Sequence, residues 1–216
     1  MKSKAELIVI SSTKFGENSI VLHTLSKEYG RKGFLVRVSP KTAMALFLPL
    51  NILEAEVTEN PKSDLWYARN FTCLSPLNGI RSNLYKNTMT LFMSEVLFRV
   101  VKDQTNEDGL ADWLKKQILT LDALETDFSN FHLLFLLSLC TALGFSPGMD
   151  DLMPFAGEFF DEVDALVSKP FEEALLVPMK GVVRNEIAES ILKYIEHHTE
   201  SAVNVRSLSV LRDIFA

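Results

Sequence analysis

The sequence is poor in cysteine and in basic charge, and it has no apolar stretch long enough for a bilayer. Two cysteines, Cys73 and Cys140, are the whole complement. Two thiols cannot build a disulfide framework or a four-cysteine zinc site. Their apolar neighbours predict two reduced, buried thiols in a cytoplasmic protein. The longest apolar run, Leu133 to Phe145, is 13 residues and includes Ser138 and Thr141. A membrane helix needs about 20, so a buried helix is expected and no membrane partner. The N-terminus, Met1-Lys2-Ser3-Lys4-Ala5-Glu6, has the charge of a secretion signal but not its apolar core. Only Leu7 to Ile10 intervene before Ser11-Ser12-Thr13-Lys14, so no secretion signal is read.

Signatures of chemistry are missing as well. Nothing matches the glycine patterns of a phosphate loop or a dinucleotide fold, and no serine sits in a nucleophile elbow. The four histidines, His23, His132, His197 and His198, do not pair with the cysteines at zinc spacing. The His197-His198 pair ends a helical pattern, where a cation suits the helix dipole. Glu158, Asp161, Glu162 and Asp164 lack the order and central glycine of a calcium loop, so a solvated loop is expected. These absences predict a protein that is not an enzyme, with no catalytic residues, no cofactor and no metal.

What is present is ample apolar surface, 47% of 216 residues, enough for a packed core. The first part of the chain has the period of strands: Ala5–Ser12, Ser19–Leu25, Gly33–Ser39, Asn51–Thr58 and Leu65–Cys73. The last would place Leu65, Tyr67, Arg69 and Phe71 on one face. Turn residues separate the strands, and five short strands fit a small closed or half-closed barrel. After a hinge at Leu74–Gly79 the period becomes helical. Helices are predicted at Asn83–Lys102, Asn106–Leu124, Ser129–Leu143 (with Gly144 as cap), Arg184–His197 and Ser207–Phe215. Pro147 to Gly181 reads as irregular and acidic. The domains are therefore 1–76 and 77–216, the second with an insert around 148–181.

The net charge of −6, from 22 Lys+Arg and 28 Asp+Glu, speaks against a nucleic-acid partner until it is divided. Residues 1–80 carry ten basic and seven acidic side chains, and residues 81–216 carry 12 and 21. Within 1–41 eight basic residues (Lys2, Lys4, Lys14, Lys27, Arg31, Lys32, Arg37, Lys41) face three acidic ones. Binding follows the local field rather than the average. Arg31 and Arg37 share a strand parity, with Lys32 and Lys41 beside them. Phe15, Tyr29, Phe34, Tyr67 and Phe71 are interleaved with these charges. Single-strand binders join a basic groove to exposed rings. Each ring alone reads first as core, whereas the Arg31–Lys41 set reads as phosphate-facing.

Several segments carry a family resemblance. Lys14-Phe15-Gly16-Glu17-Asn18-Ser19, then Thr24-Leu25-Ser26-Lys27-Glu28-Tyr29-Gly30-Arg31, resembles the N-terminal signature of the RecO family of bacterial recombination mediators. Pro49–Glu56 matches that family's following strand in pattern. Leu143-Gly144-Phe145-Ser146-Pro147 resembles the end of its helical segment, in the style of the Bacteroidetes branch. The order of barrel, hinge and helices covers essentially the whole chain.

The resemblance implies an α+β protein, an N-terminal five-stranded OB-fold β-barrel followed by an α-helical domain. It implies binding of single- and double-stranded DNA, annealing of complementary strands, and help in loading RecA onto DNA coated with single-strand-binding protein. Implied partners are RecR, the acidic C-terminal tail of single-strand-binding protein and, indirectly, RecA. Many relatives have a four-cysteine zinc module after the Gly-Phe-x-Pro segment, but Gly148–Lys169 has no cysteine, so the insert should be zinc-free. The basic loop after the third strand is short, Arg37-Val38-Ser39-Pro40-Lys41. The DNA-binding candidates are Lys14, Arg31, Lys32, Arg37, Lys41 and Arg69. A second reading is a protein-interaction adaptor whose helical groove holds a partner peptide with little DNA binding. An acidic tail would need cations such as Arg99, Lys102, Lys115 or Lys116.

Overall fold

Stretches of alternating apolar and polar residues recur within the first 73 positions, and the strands that they form close into a barrel. The computed structural model describes residues 2–102 and 109–215. Its strands are β1 (Lys2–Lys14), β2 (Ser19–Ser26), β3 (Gly30–Arg37), β4 (Ile52–Thr58) and β5 (Trp66–Cys73). Their order around the barrel is β1-β2-β3-β5-β4, and β4 returns antiparallel to β1. The β3–β5 pair is parallel and short, matching Phe34 with Trp66 and Leu35 with Tyr67. This is the five-stranded Greek-key barrel of an OB fold. Leu7, Val9, Leu22, Phe34, Val36, Leu53, Ala55 and Val57 fill it, each large aliphatic contributing about 1.5–3 kcal/mol by leaving water. A 3-10 turn, Met44–Phe47, lies between β3 and β4 and sets Phe47 edge-on to Phe71 at 5.0 Å.

The last strand departs from simple alternation. Asn70 has φ 56, and the β4–β5 register shifts between Glu54 and Glu56, which face Thr72 and Arg69. One extra residue in a bulged strand reverses the parity beyond it. Tyr67 and Arg69 are therefore exposed, whereas Phe71 packs against the core instead of joining them.

Among the described residues the helices are α1 (Asn78–Arg81), α2 (Leu84–Val100), α3 (Leu110–Ala123), α4 (Phe131–Ala142), α5 (Met149–Ala156), α6 (Phe160–Ser168), α7 (Phe171–Leu175), α8 (Gly181–Thr199) and α9 (Ser207–Phe215). The start expected for α3, residues 106–108, lies outside the described residues. The chain divides into two units, Met1–Asn78 with Val101–Ile118, and Gly79–Val100 with Leu119–Ala216. A single cut at residue 76 does not describe this, because residues 101–118 return to the barrel's unit. Ile8 and Leu25, paired across β1 and β2, are buried although they point away from the barrel interior; they line one cleft with Ala111 of α3. Ion pairs flank this cleft, Lys27 to Asp112 at 3.1 Å and Lys115 to Glu6 at 2.7 Å.

The second unit is built on two helices buried nearly all round, α2 and α4. Gly144, at φ 89, ends α4: its N–H donates to the Thr141 carbonyl, and that of Phe145 donates to Cys140, both at 3.0 Å. This paired closure needs a left-handed residue and so favours glycine. The acidic stretch after Pro147 is not irregular, because it forms α5, α6 and α7. These helices are short, eight, nine and five residues, which leaves too little repeat for a helical period to be read.

Polar side chains fasten the unit's helix ends. Asn130 is buried and donates to the carbonyls of Ala174, Leu175 and Val177, and its own Oδ1 accepts from Arg184 Nε at 2.9 Å. Glu95 accepts from the N–H groups of Arg206 and Ser207 and from the Ser207 hydroxyl, capping α9. Lys86 is buried and donates to the carbonyls of Asp122 and Leu124 at the end of α3, where a cation suits the dipole. Gly79 meets the same helix end: a Cβ there would stand 2.0 Å from the Asp122 carbonyl oxygen.

Candidate nucleic-acid interface

The basic residues of the first 41 positions do not form one patch. Lys4 is held by Glu54 at 2.7 Å, and that hydrogen bond raises its pKa above the ordinary lysine value. Lys27 is paired with Asp112. Arg31 has the same outward parity as Arg37, but it is only 6% exposed and donates to the backbone carbonyl of Val101. The returning segment covers it, so its expected place on a phosphate-facing surface is corrected to a buried one. Lys32 has the inward parity of Phe34 and sits over the Trp66 ring, 4.7 Å from its centroid. It is also five positions from Arg37 along β3, about 16 Å at strand spacing.

Three of the six candidates gather at the other end of the barrel. Lys14 ends β1, Arg37 ends β3 and Lys41 follows on the next turn, all exposed. The register explains the grouping. Lys14 pairs with Ile20 and Arg37 with Ser19, and the N–H of Val38 donates to the Asn18 carbonyl at 3.0 Å. The β1–β2 turn and the exit from β3 are thus adjacent. Among the described residues no carboxylate pairs with Lys14, Arg37 or Lys41. Phe15, in that turn, is 54% exposed.

A groove opens where β3 and β5 part, beyond the Leu35–Tyr67 pair. Its volume is about 490 Å³, and Arg37, Thr42, Leu46, Phe47, Tyr67, Arg69 and Phe71 are among its lining residues. Arg69, the sixth candidate, reaches it while bonded to Glu56, Nε at 3.1 Å and Nη2 at 3.0 Å from the same carboxylate oxygen. Of the expected set, the structure brings Arg37 and Arg69 onto one groove, puts Lys14 and Lys41 at the same end of the barrel as Arg37, and sets Arg31 and Lys32 apart. In the sequence Tyr67 shares a strand parity with Leu65, Arg69 and Phe71 and is one ring among several. Its outward neighbours on β5 single it out, and the bulge at Asn70 was the hidden signal.

The second unit has a groove of about 500 Å³ lined by Phe155, Phe159 and Val182, with Lys193 and Arg212 on one side of the charge balance and Glu158, Glu186 and Glu189 on the other. Of the cations expected to meet an acidic tail, Lys115 is taken up by Glu6, and Arg99, Lys102 and Lys116 are exposed. His197 and His198 close α8, and His198 stacks on Phe145 at 5.1 Å. His132 is fully buried, and burial, reinforced by Arg184, lowers its pKa to about 3, so it is neutral. Cys140 is buried, with its thiol pushed up to about 12, but Cys73 is exposed, contrary to expectation, because it lies at the outer end of β5.

Comparison with known proteins agrees with this architecture. The family model for the N-terminal part of recombination protein O matches residues 1–77, and the model for its C-terminal part matches residues 81–152. A DNA repair protein RecO of Bacteroides fragilis is 28% identical over 244 aligned residues, covering 100% of both chains. One of Phocaeicola vulgatus is 27% identical, again covering 100% of each. One of Flavobacterium johnsoniae is 32% identical over 157 residues, covering 70% of this chain and 66% of the relative. The relatives named are DNA repair proteins from Bacteroidetes, as the motif style suggested.

Proposed function

The chain belongs to the RecO family of DNA repair and recombination proteins, and from that premise we propose that it binds DNA phosphates through the exposed cations at one end of its barrel. Lys14, Arg37 and Lys41 make the primary contacts, Arg69 joins when it leaves Glu56, and Lys32 serves only a strand long enough to reach the opposite end. The observation that carries this reading is the grouping of Lys14, Arg37 and Lys41, with no carboxylate partner among the described residues, at the end of the barrel where Arg37 and Arg69 line one groove. Arg31 is not in the set.

The same reading assigns the protein a non-enzymatic role. By holding two complementary strands near one another it would favour their annealing. By holding a strand vacated by single-strand-binding protein it would assist loading of RecA. We assign as partners RecR, RecA indirectly, and the acidic tail of single-strand-binding protein. The second unit's groove offers that tail Lys193 and Arg212 for its carboxylates and Phe155 and Phe159 for its apolar side chains, with Glu158, Glu186 and Glu189 opposing.

The test is a titration of labelled single-stranded oligonucleotide at several salt concentrations. Three to four phosphate contacts on a single strand predict a slope of log affinity against log salt of roughly −2 to −3. Salt-independent binding, or none, defeats the reading and favours the adaptor.

A further inference from the structure

Tyr67 projects outward from β5 and is 47% exposed. It stands where β3 and β5 separate, on the same outward parity as Arg69, two residues on, and paired with Leu35, two residues before Arg37. Tyr67, Arg37 and Arg69 line one groove, whose lining also includes the apolar Leu46, Ala68 and Phe71. An aromatic face bordered by two guanidinium groups and an apolar wall matches the chemistry of a nucleotide. The ring accepts the flat face of a base, and the cations accept the phosphates to either side. A duplex offers the same phosphates but keeps its base faces inside the stack.

We propose that Tyr67 is a stacking platform for an unpaired base, so that this groove selects single-stranded DNA. The proposal rests on the phosphate-binding reading above and adds to it the part of the ligand that phosphate contacts cannot distinguish. Arg37 and Arg69 set the strand's position, and Tyr67 decides whether it is single or paired.

The experiment uses the full chain and three labelled probes of equal length: a single-stranded oligothymidylate, a blunt duplex, and a strand of abasic spacers that keeps the phosphates and lacks the bases. Tyr67→Ala should weaken binding of the oligothymidylate roughly tenfold, within the range of one base–aromatic stack. It should leave the duplex and the abasic strand unchanged. Tyr67→Phe, which keeps the ring, should bind all three as the unaltered protein does. An equal loss on all three probes, no loss on any, or a loss with Tyr67→Phe as large as with Tyr67→Ala overturns the stacking proposal while leaving phosphate binding standing. If the unaltered protein binds none of the probes, both fall. Because the side chain is exposed, the melting temperature of Tyr67→Ala should match that of the parent, which separates lost stacking from lost fold.

Discussion

Glu56 and Arg69 face each other across β4 and β5, with two guanidinium nitrogens 3.0 and 3.1 Å from one carboxylate oxygen. The pair lies on the barrel's outer surface, so its attraction is screened and amounts to about 0.2–1 kcal/mol. That is small enough for a phosphate to displace the carboxylate. Glu56→Gln should therefore raise affinity for single-stranded DNA by roughly 1.4- to fivefold at low salt, the factor that such a pair energy corresponds to. An unchanged affinity in a binding titration would mean that Arg69 does not reach the strand.

Arg31 and Arg37 sit on one strand with one parity and should respond oppositely to truncation. Arg31→Ala removes a buried donor to the Val101 carbonyl and should cost about 1–3 kcal/mol of stability, read by urea unfolding. Arg37→Ala should leave stability within about 0.5 kcal/mol. It should instead weaken DNA binding and reduce the salt slope by about one contact. Equal unfolding curves for the two variants would contradict the burial of Arg31.

Asn130 joins the segment after α6 to α4 and α8 through three carbonyls and one guanidinium. Asn130→Ala takes a buried partner from the Leu175 and Val177 carbonyls and from Arg184 Nε, whereas the Ala174 carbonyl keeps the N–H of Val177. The expected loss is about 3 kcal/mol, since each buried polar group left unsatisfied costs about 1–3 kcal/mol. Calorimetry would show it as a lower melting temperature. Asn130→Asp should be little better, because a carboxylate cannot donate to carbonyls.

Two groups make the second unit sensitive to acid. His132 is held neutral, its pKa down to about 3, first by burial and then by Arg184. Its unfolded form takes up a proton below about 6.5 and its folded form does not. Stability should thus fall by up to about 1.4 kcal/mol per pH unit between pH 6 and the folded pKa. Glu95 is raised by burial but lowered more by its bonds to Ser207 and Arg206, leaving it below the ordinary carboxylate value. Its contribution is present above its unfolded pKa and is lost as pH falls through the folded one. Urea unfolding across pH 3–7 should show a shallower slope in His132→Gln above pH 5, where Glu95 is not yet titrating. A slope equal to that of the parent would refute the His132 assignment.

The two thiols should differ in reactivity. Cys73 is exposed, and Cys140 is buried with its pKa pushed to about 12. A thiolate reagent should label one cysteine in the folded protein and both in denaturant. Fast labelling of two would show that the α4 packing is open.

The barrel was legible because each strand buries one face, so Leu53, Ala55 and Val57 alternate with Glu54, Glu56 and Thr58 in the sequence itself. Period alone could not reveal the bulge at Asn70, and with it the separation of Tyr67 from Phe71. Nor could it reveal the fate of Arg31, whose burial comes from Val101, seventy residues on. The charge count shows that the first 41 residues are basic on balance. It could not show which cations are neutralised locally, since Lys4, Lys27 and Arg69 find their carboxylates through strand pairing and the return of α3. The helices after Pro147 were invisible because Gly148, Pro154, Gly157 and Pro170 interrupt any helical repeat.

The return of residues 101–118 to the barrel's unit also orders events during synthesis. When the first 78 residues have left the ribosome, every strand is available, yet Ile8, Leu25 and Arg31 still lack the segment that covers them. The barrel must wait through the emergence of α2 before α3 arrives to cover the outer stripe. A nascent chain stalled at residue 78 should therefore expose a sticky apolar seam, and one stalled with α3 in the open should not. A fragment cut at the apparent domain boundary would carry the same exposed seam permanently.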